Sequence, residues 1–250
     1  MKRIAVIPAR WGSTRLPGKA LAHIAGRPMI QHVWERAQQA REVDEVWIAT
    51  DDARIADVAN AFGARVAMTA PSHPSGTDRV EEVARDTAAD VVVNVQGDEP
   101  QLDPAQVDLV VSTLLTAADG EVADVATLAF PISSAEQLAD PGLVKVVTDR
   151  RGRALYFSRA PIPYDRGSGG GLVAEHRGHV GIYAFRREAL ARFVRLPRGP
   201  LESLESLEQL RFLENGIPIA VGHTSHRTVG VDTPEDLERV RAEIGRAGER

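Results

Sequence analysis

Between Ile4 and Val95 the chain alternates apolar runs with amphipathic stretches, and this restricts its fold more than any other feature. Ile4–Pro8, Val46–Thr50, Val66–Met68 and Val91–Val95 read as strands. Pro28–Ala40, Ala53–Phe62 (ended by Gly63) and Thr77–Asp86 read as the helices between them. Strand-helix alternation on this scale predicts an open, mainly parallel, doubly wound sheet of the Rossmann-like α/β class. Val91–Val95 is the most apolar run and is expected at the sheet centre, because a strand covered on both faces carries no polar alternation. A further helix is expected after Asp103, with Asp103 as N-cap, Pro104 as first residue and Gln106 completing a capping box.

From Val125 to Arg187 the pattern turns strand-rich: Val125–Ile132, Val144–Thr148, Ala154–Ser158 and Val180–Phe185. Arg166–Gly171 reads as a mobile glycine-rich loop. Helix is expected again over Leu201–Asn215, a strand over Ile219–Val221, and a last helix from Pro234. The expected organisation is therefore one domain over residues 1–250, in which roughly 125–190 form a smaller strand-rich part.

Composition narrows the partners. The formal net charge is −5, where a nucleic-acid binder usually carries a basic excess. With no cysteine, disulfides, thiolate catalysis and Cys-ligated zinc are excluded. Met1–Pro8 has too short an apolar run for a signal peptide, and no segment approaches the ~20 apolar residues that span a bilayer, so a cytoplasmic chain is expected. Only Lys2, Lys19 and Lys145 among the 30 basic residues are lysines. Where an arginine-using chain keeps a lysine, a compact ammonium can be what the site requires.

The loop Ile7–Lys19, IPARWGSTRLPGK, follows the first strand directly. In an open α/β sheet that position binds phosphates, and Arg10, Arg15 and Lys19 put three cations there. It lacks the G-x-G-x-x-G dinucleotide fingerprint, which disfavours an NAD-dependent oxidoreductase. It is no Walker A loop either, because Gly12 and Gly18 lie one residue too far apart and Ala20 stands where Ser or Thr would hold magnesium. Asp98 follows the most buried strand and so lies over the same crevice. Its hard oxygen suits Mg²⁺, which takes one or two carboxylates together with substrate phosphates and water. Asp232 is the natural second ligand. It precedes a good helix start at Thr233-Pro234, so it could equally complement the helix dipole. Ser75-Gly76-Thr77 is a helix cap on its simplest reading. Arg159 can offer a carboxylate a bidentate fork.

The first loop resembles the signature of sugar nucleotidyltransferases, and its P-A-R-x-x-S-T-R-L-P-G-K wording is similar to that of the CMP-Kdo synthetases (3-deoxy-manno-octulosonate, or Kdo, cytidylyltransferases). HPSGTDR (His73–Arg79), VNVQGDEP (Val93–Pro100), VKVV (Val144–Val147), ALYFSRAPIPYDR (Ala154–Arg166), HVGIYAFR (His179–Arg186), LESLEQLR (Leu204–Arg211) and GVDTPEDLERV (Gly230–Val240) follow in that family's order. Trp11 and the insert 167–171 depart from the pattern without touching a motif position.

The resemblance implies the nucleotide-diphospho-sugar transferase fold, with residues 125–190 contributing to sugar binding and to a homodimer. It implies transfer of CMP from CTP to Kdo for lipopolysaccharide biosynthesis, with Mg²⁺ as cofactor. It assigns Arg10, Arg15, Lys19 and Asp98 to catalysis, and Pro8, Ala9, Arg10, Ser13, Lys19, Ser75, Gly76, Thr77, Arg79 and Gln96 to the nucleotide. Asp98 and Asp232 are its magnesium ligands, and Arg159, His179, Glu208 and Gln209 its sugar contacts. From the residues alone, His179 is equally a hydrogen-bonded strand-end histidine, and Glu208 and Gln209 an exposed helical face. The competing expectations are the same reaction on 8-amino-Kdo or a sialic acid, or a non-catalytic nucleotide-sensing module.

Overall fold

The apolar runs of the first half become one parallel sheet in the computed structural model, which describes the chain apart from residues 13–15, 117–122, 168–175 and 249–250. The strands are β1 (Arg3–Ala9), β2 and β3 (His23–Ile24 and Arg27–Pro28, a small hairpin), β4 (Glu45–Thr50), β5 (Arg65–Met68) and β6 (Val91–Asn94). Between them lie α1 (Met29–Ala37), α2 (Ala53–Ala61) and α3 (Gly76–Thr87), and α4 (Pro104–Leu115) follows β6. In the order β6-β1-β4-β5 every neighbouring pair is parallel, with Val6 opposite both Trp47 and Asn94. All four residues of β6 are buried, and Ile4 to Ile7 of β1 are fully covered. Each large aliphatic side chain so covered contributes ~1.5–3 kcal/mol relative to exposure, so the centre of this sheet is a rigid base. Loops at its carboxyl ends inherit that rigidity.

The chain divides into two compact units, residues 1–108 with 228–250, and 109–227. The second holds β7 (Val125–Pro131), α5 (Ala135–Ala139), β8 (Lys145–Thr148), β9 (Ala154–Ser158), β10 (Arg177–Arg186), α6 (Arg187–Phe193), α7 (Pro200–Glu205), α8 (Leu210–Glu214) and β11 (Ile219–His223). Here β11 runs parallel to β7, whereas β10 is antiparallel to both β7 and β8, and β9 is antiparallel to β8. The chain closes on α9 (Pro234–Gly248), which belongs to the first unit.

Two expectations change, the helix over Leu201–Asn215 and the start of the strand at Val180. The single helix read over Leu201–Asn215 is two, broken at Ser206, whose φ is 53°. The buried Glu202 carboxylate takes both Arg211 Nε (2.7 Å) and Nη2 (2.5 Å), folding α8 back on α7. Asp103 caps α4 as expected, accepting from Ala105 N at 3.0 Å, while Gln106 Oε1 receives the Thr228 hydroxyl at 2.7 Å. The strand expected from Val180 starts at Arg177 and contains a bulge. Of the loop expected over 166–171, residues 168–171 lie outside the described residues.

Candidate active site

In the first unit three loops meet at the carboxyl end of β1. Gly97 lies so close to β1 that a Cβ there would stand 2.8 Å from the Pro8 carbonyl oxygen. A side chain would push the Asp98 loop off the strand, so glycine is required. Gly76 abuts the Pro8 ring, where a Cβ would meet Cγ at 3.4 Å. Ser75 caps α3, accepting from Asp78 N at 3.3 Å, so its capping role is real. Pro8, Ala9, Ser75, Gly76, Thr77 and Gln96 thereby gather around one strand end. The Arg79 guanidinium is buried and committed to Asp51 (3.1 Å) and Thr69. It braces the start of α3 and offers no free charge to a ligand. Arg10 is exposed just beyond β1. Arg15 and Ser13 lie outside the described residues.

Lys19 follows a left-handed glycine, Gly18 (φ 68°), whose own amide is bonded to the Trp11 carbonyl at 3.3 Å. This turn sends the Lys19 ammonium to Asp98 Oδ2 (2.6 Å) and Asp232 Oδ1 (3.1 Å) at once. Asp232 is brought there by a backbone bond from Val231 N to Asp98 O (2.9 Å) and by Val231 packing with Ile24, Met29, Leu237 and Val240. The alternative role of Asp232 as a helix-start acid falls to Asp236. Its Oδ2 accepts from Thr233 N (3.1 Å) and Thr233 Oγ1 (2.9 Å), and its own N–H returns to Thr233 Oγ1. With the cap closed by Thr233 and Asp236, the Asp232 carboxylate faces the cation.

Two carboxylates that reach one ammonium are a hard-oxygen pair suited to Mg²⁺. Among the described residues there is no group of three or more metal-ligating side chains, so further ligands would come from substrate phosphates and water. Glu99 does not supply one as it stands. Its carboxyl is buried, and desolvation followed by the charge of Asp98 pushes its pKa up to about 8.

In the second unit Arg159 is held through its backbone N–H, Nε and Nη1. Glu205 Oε2 accepts its backbone N–H (2.9 Å), while the Glu205 carbonyl takes Nε (2.8 Å) and the Pro141 carbonyl takes Nη1 (3.0 Å). Beneath it Lys145 is fully buried. Its ammonium donates to the carbonyls of Asp140 (2.8 Å), Leu143 (2.6 Å) and Arg159 (2.5 Å). Desolvation lowers the Lys145 pKa. The second retained lysine thus staples backbone rather than meeting substrate.

His179 lies on β10 with its ring 5.1 Å from Phe157, edge to face, and 5.4 Å from Tyr183. Its Nε2 is 2.9 Å from Thr127 Oγ1. These covered surroundings push its pKa down to about 3, so the imidazole is neutral. Burial, then the charge of Glu208, raise the Tyr183 phenol well above its usual range. Glu208 and Gln209 sit in the break between α7 and α8, Gln209 buried and Glu208 half-buried, not on the exposed helical face that was their simplest reading. Sequence reasoning missed Tyr183, Thr127 and Glu205. Only the scarcity of lysine pointed towards Lys145.

Residues 4–220 match the cytidylyltransferase family model. The 3-deoxy-manno-octulosonate cytidylyltransferase of Geobacter metallireducens is 49% identical, covering 98% of this chain and 99% of that protein. The enzyme of the same name from Nitratidesulfovibrio vulgaris strain DP4 is 56% identical over 93% of this chain and 92% of its own. A solved CMP:2-keto-3-deoxy-manno-octonic acid synthetase, complexed with CTP, superposes with a TM-score of 0.92 at 48% identity, covering 99% of this chain and 100% of that one. A cytidylyltransferase from Leptospira borgpetersenii shares the fold, with a TM-score of 0.66 at 19% identity, 98% of this chain and 87% of that one being covered. Similar at this level over almost its whole length, the chain belongs to the 3-deoxy-manno-octulosonate cytidylyltransferase family.

Proposed function

We propose that the chain transfers CMP from CTP to Kdo, forming CMP-Kdo and diphosphate. The observation that carries this reading is the meeting of Lys19, Asp98 and Asp232 at the end of β1, on loops anchored by Gly97 and Val231. The anomeric 2-hydroxyl oxygen attacks the α-phosphorus, its proton passes to solvent, and the bond to the β-phosphate oxygen breaks as diphosphate leaves. Such transfers depend on positioning and charge stabilisation. Asp98 and Asp232 would hold Mg²⁺, which supplies charge neutralisation and a more acidic sugar hydroxyl when bound. Arg10, Arg15 and Lys19 meet the triphosphate, with Lys19 acting on the charge that builds at the leaving group. Pro8, Ala9, Ser13, Ser75, Gly76, Thr77 and Gln96 seat the nucleotide, and Arg79 stabilises that seat from beneath. Arg159 takes the sugar carboxylate. Glu208, Gln209 and the neutral His179 take its hydroxyls.

The reading extends to a cytoplasmic homodimer that supplies activated Kdo for lipopolysaccharide. In its support, no helix among the described residues is long and apolar enough to cross a membrane. The test is diphosphate release with each nucleoside triphosphate, Mg²⁺, and Kdo, 8-amino-Kdo or a sialic acid in turn. CTP with Kdo is expected to give the highest kcat/KM. Equal use of all sugars would overturn the substrate assignment, and binding of CTP with no release would leave a sensing module. Sedimentation of the purified chain tests the dimer.

A further inference from the structure

Strand β10 does not run evenly against β7. His179 is opposite Ala129 and Val180 opposite Leu128, but the next residue of β7, Thr127, is opposite Tyr183. Three steps along β10 thus face one step along β7, and Gly181 and Ile182 are the two extra residues. An even number preserves the alternation of faces, so His179 and Tyr183 stay on one side. On an unbroken strand four residues would separate these two positions by ~13 Å. With the bulge their rings are 5.4 Å apart. Bulges commonly re-aim side chains in this way beside functional sites.

At this kink the fully buried Thr127 hydroxyl lies against two backbone carbonyls. Its Oγ1 is 2.8 Å from Ile182 O, 3.1 Å from Val180 O and 2.9 Å from His179 Nε2. Carbonyl oxygens only accept, and a threonine hydroxyl has one proton. That proton is engaged by the carbonyls, so the third contact must run the other way: His179 Nε2–H donates to Oγ1. In the neutral ring the other nitrogen, Nδ1, is then the acceptor.

We propose that Thr127 is a positioning residue for the sugar site: its hydroxyl holds the Gly181–Ile182 bulge and fixes His179 as the Nε2–H tautomer, so that Nδ1 accepts a hydrogen bond from a hydroxyl of the acidic sugar. This rests on the reading of His179 as a sugar contact, and the two are separable by experiment. Nothing in the local sequence marks Thr127, because it lies 52 residues from the ring that it orients.

The test uses the full chain labelled with ¹⁵N-histidine and long-range ¹H–¹⁵N correlation spectra, the His179 signals being assigned by their loss in His179→Gln. The wild type is expected to show the Nε2–H pattern. Thr127→Val removes the hydroxyl at almost constant volume and should mix the tautomers, whereas Thr127→Ser should keep the wild-type pattern. In kinetics Thr127→Val should raise KM for Kdo about tenfold, the worth of roughly one net hydrogen bond, with an unchanged CTP dissociation constant by calorimetry; Thr127→Ser should restore KM. An Nδ1–H pattern in the wild type, which needs no variant to fold, overturns the proposal. So does a Thr127→Val protein with both tautomer and KM unchanged. If the tautomer behaves as expected while Thr127→Val and His179→Gln both leave Kdo kinetics untouched, the assignment of His179 to the sugar is what has failed, and the functional half of the proposal falls with it.

Discussion

The two candidate regions, one in each compact unit, are built on opposite plans. In the first unit charged side chains stand on loops at the carboxyl end of the sheet's central strands, partly open to solvent. Lys19, Asp98 and Asp232 are 17%, 29% and 48% exposed, and what fixes them is backbone: a glycine against Pro8, and an amide bond from Val231 to Asp98. In the second unit the polar groups are held by one another, with Lys145 and Thr127 fully buried and Arg159 and Glu205 half-buried. Lys145 staples three carbonyls, Glu205 grips Arg159, and Thr127 holds both a bulge and a ring. A solvated cluster of charges can rearrange when a charged ligand arrives. A buried network cannot do so cheaply, because an unpaired group in low dielectric costs more than the bond it made. On the proposed assignment, the open cluster suits a triphosphate and its counter-ions, and the buried network suits the reading of a sugar's shape.

The sharpest way to break this comparison is Asp98→Asn. The amide keeps the shape and removes the charge that faces Lys19 and would meet the metal. Turnover should fall about 10³-fold, ~4 kcal/mol of transition-state stabilisation, with thermal stability little changed. Near-normal turnover would show that the open cluster is not the metal site. Arg159→Ala should come next, a loss of ~2–5 kcal/mol in kcat/KM for Kdo, because truncation leaves the sugar carboxylate unpaired. The CTP dissociation constant from calorimetry should not move. An equal loss of CTP affinity would erase the division of roles between the two regions.

Lys145→Met sharpens the contrast from the stability side. Among the described residues its ammonium donates to three backbone carbonyls, so the variant leaves three acceptors without that donor, at a cost of ~1–3 kcal/mol for each group that finds no new partner. We expect ~3 kcal/mol lost in urea denaturation, with any effect on kinetics confined to Kdo. Lys19→Arg is smaller and purely kinetic. The planar guanidinium cannot sit between two carboxylates as a point charge does, and a loss of about tenfold in kcat, ~1.4 kcal/mol, is expected. Equal kinetics would mean that charge alone matters in the open cluster.

The same contrast explains what could be read in the sequence. The parallel sheet was legible from β1 and β6 because burial on both faces leaves a continuous apolar run, and the first loop because glycines and cations are contiguous there. Asp98 could be placed from topology alone. Asp232 stayed ambiguous until Asp236 was seen to close the cap, since both acids stand beside the same helix start. On the sugar side the informative partners are far apart in sequence: Thr127 with His179, Lys145 with Arg159, Glu205 with Ser158. A two-residue bulge leaves the period-two pattern intact, so no reading of HVGIYAFR could show His179 and Tyr183 in contact. The break at Ser206 was equally hidden, because helix periodicity continues through it and only the Glu202–Arg211 pair reveals the fold-back.

The buried network also carries a pH signature at His179. His179 has a folded pKa of about 3 against 6.5 as its ordinary value, because its surroundings exclude the water that a charged ring needs. Between these two values the unfolded chain binds a proton at this position and the folded chain does not. Stability from this group is therefore complete above about pH 6.5 and is lost progressively as the pH falls towards about 3. At pH 5.5 the loss should be about 1 kcal/mol, after allowance for the partial exposure of the ring. The chain holds six other histidines, so the quantity to measure is a difference. Urea denaturation of the wild type and of His179→Gln at pH 7.5 and at pH 5.5 should show the wild type losing about 1 kcal/mol more than the variant across that interval. Equal losses would mean that the ring is solvated and protonates freely in the folded chain. His179 would then belong with the exposed charges of the first unit, and the contrast between a fixed sugar side and an adaptable phosphate side would fail at its most specific residue.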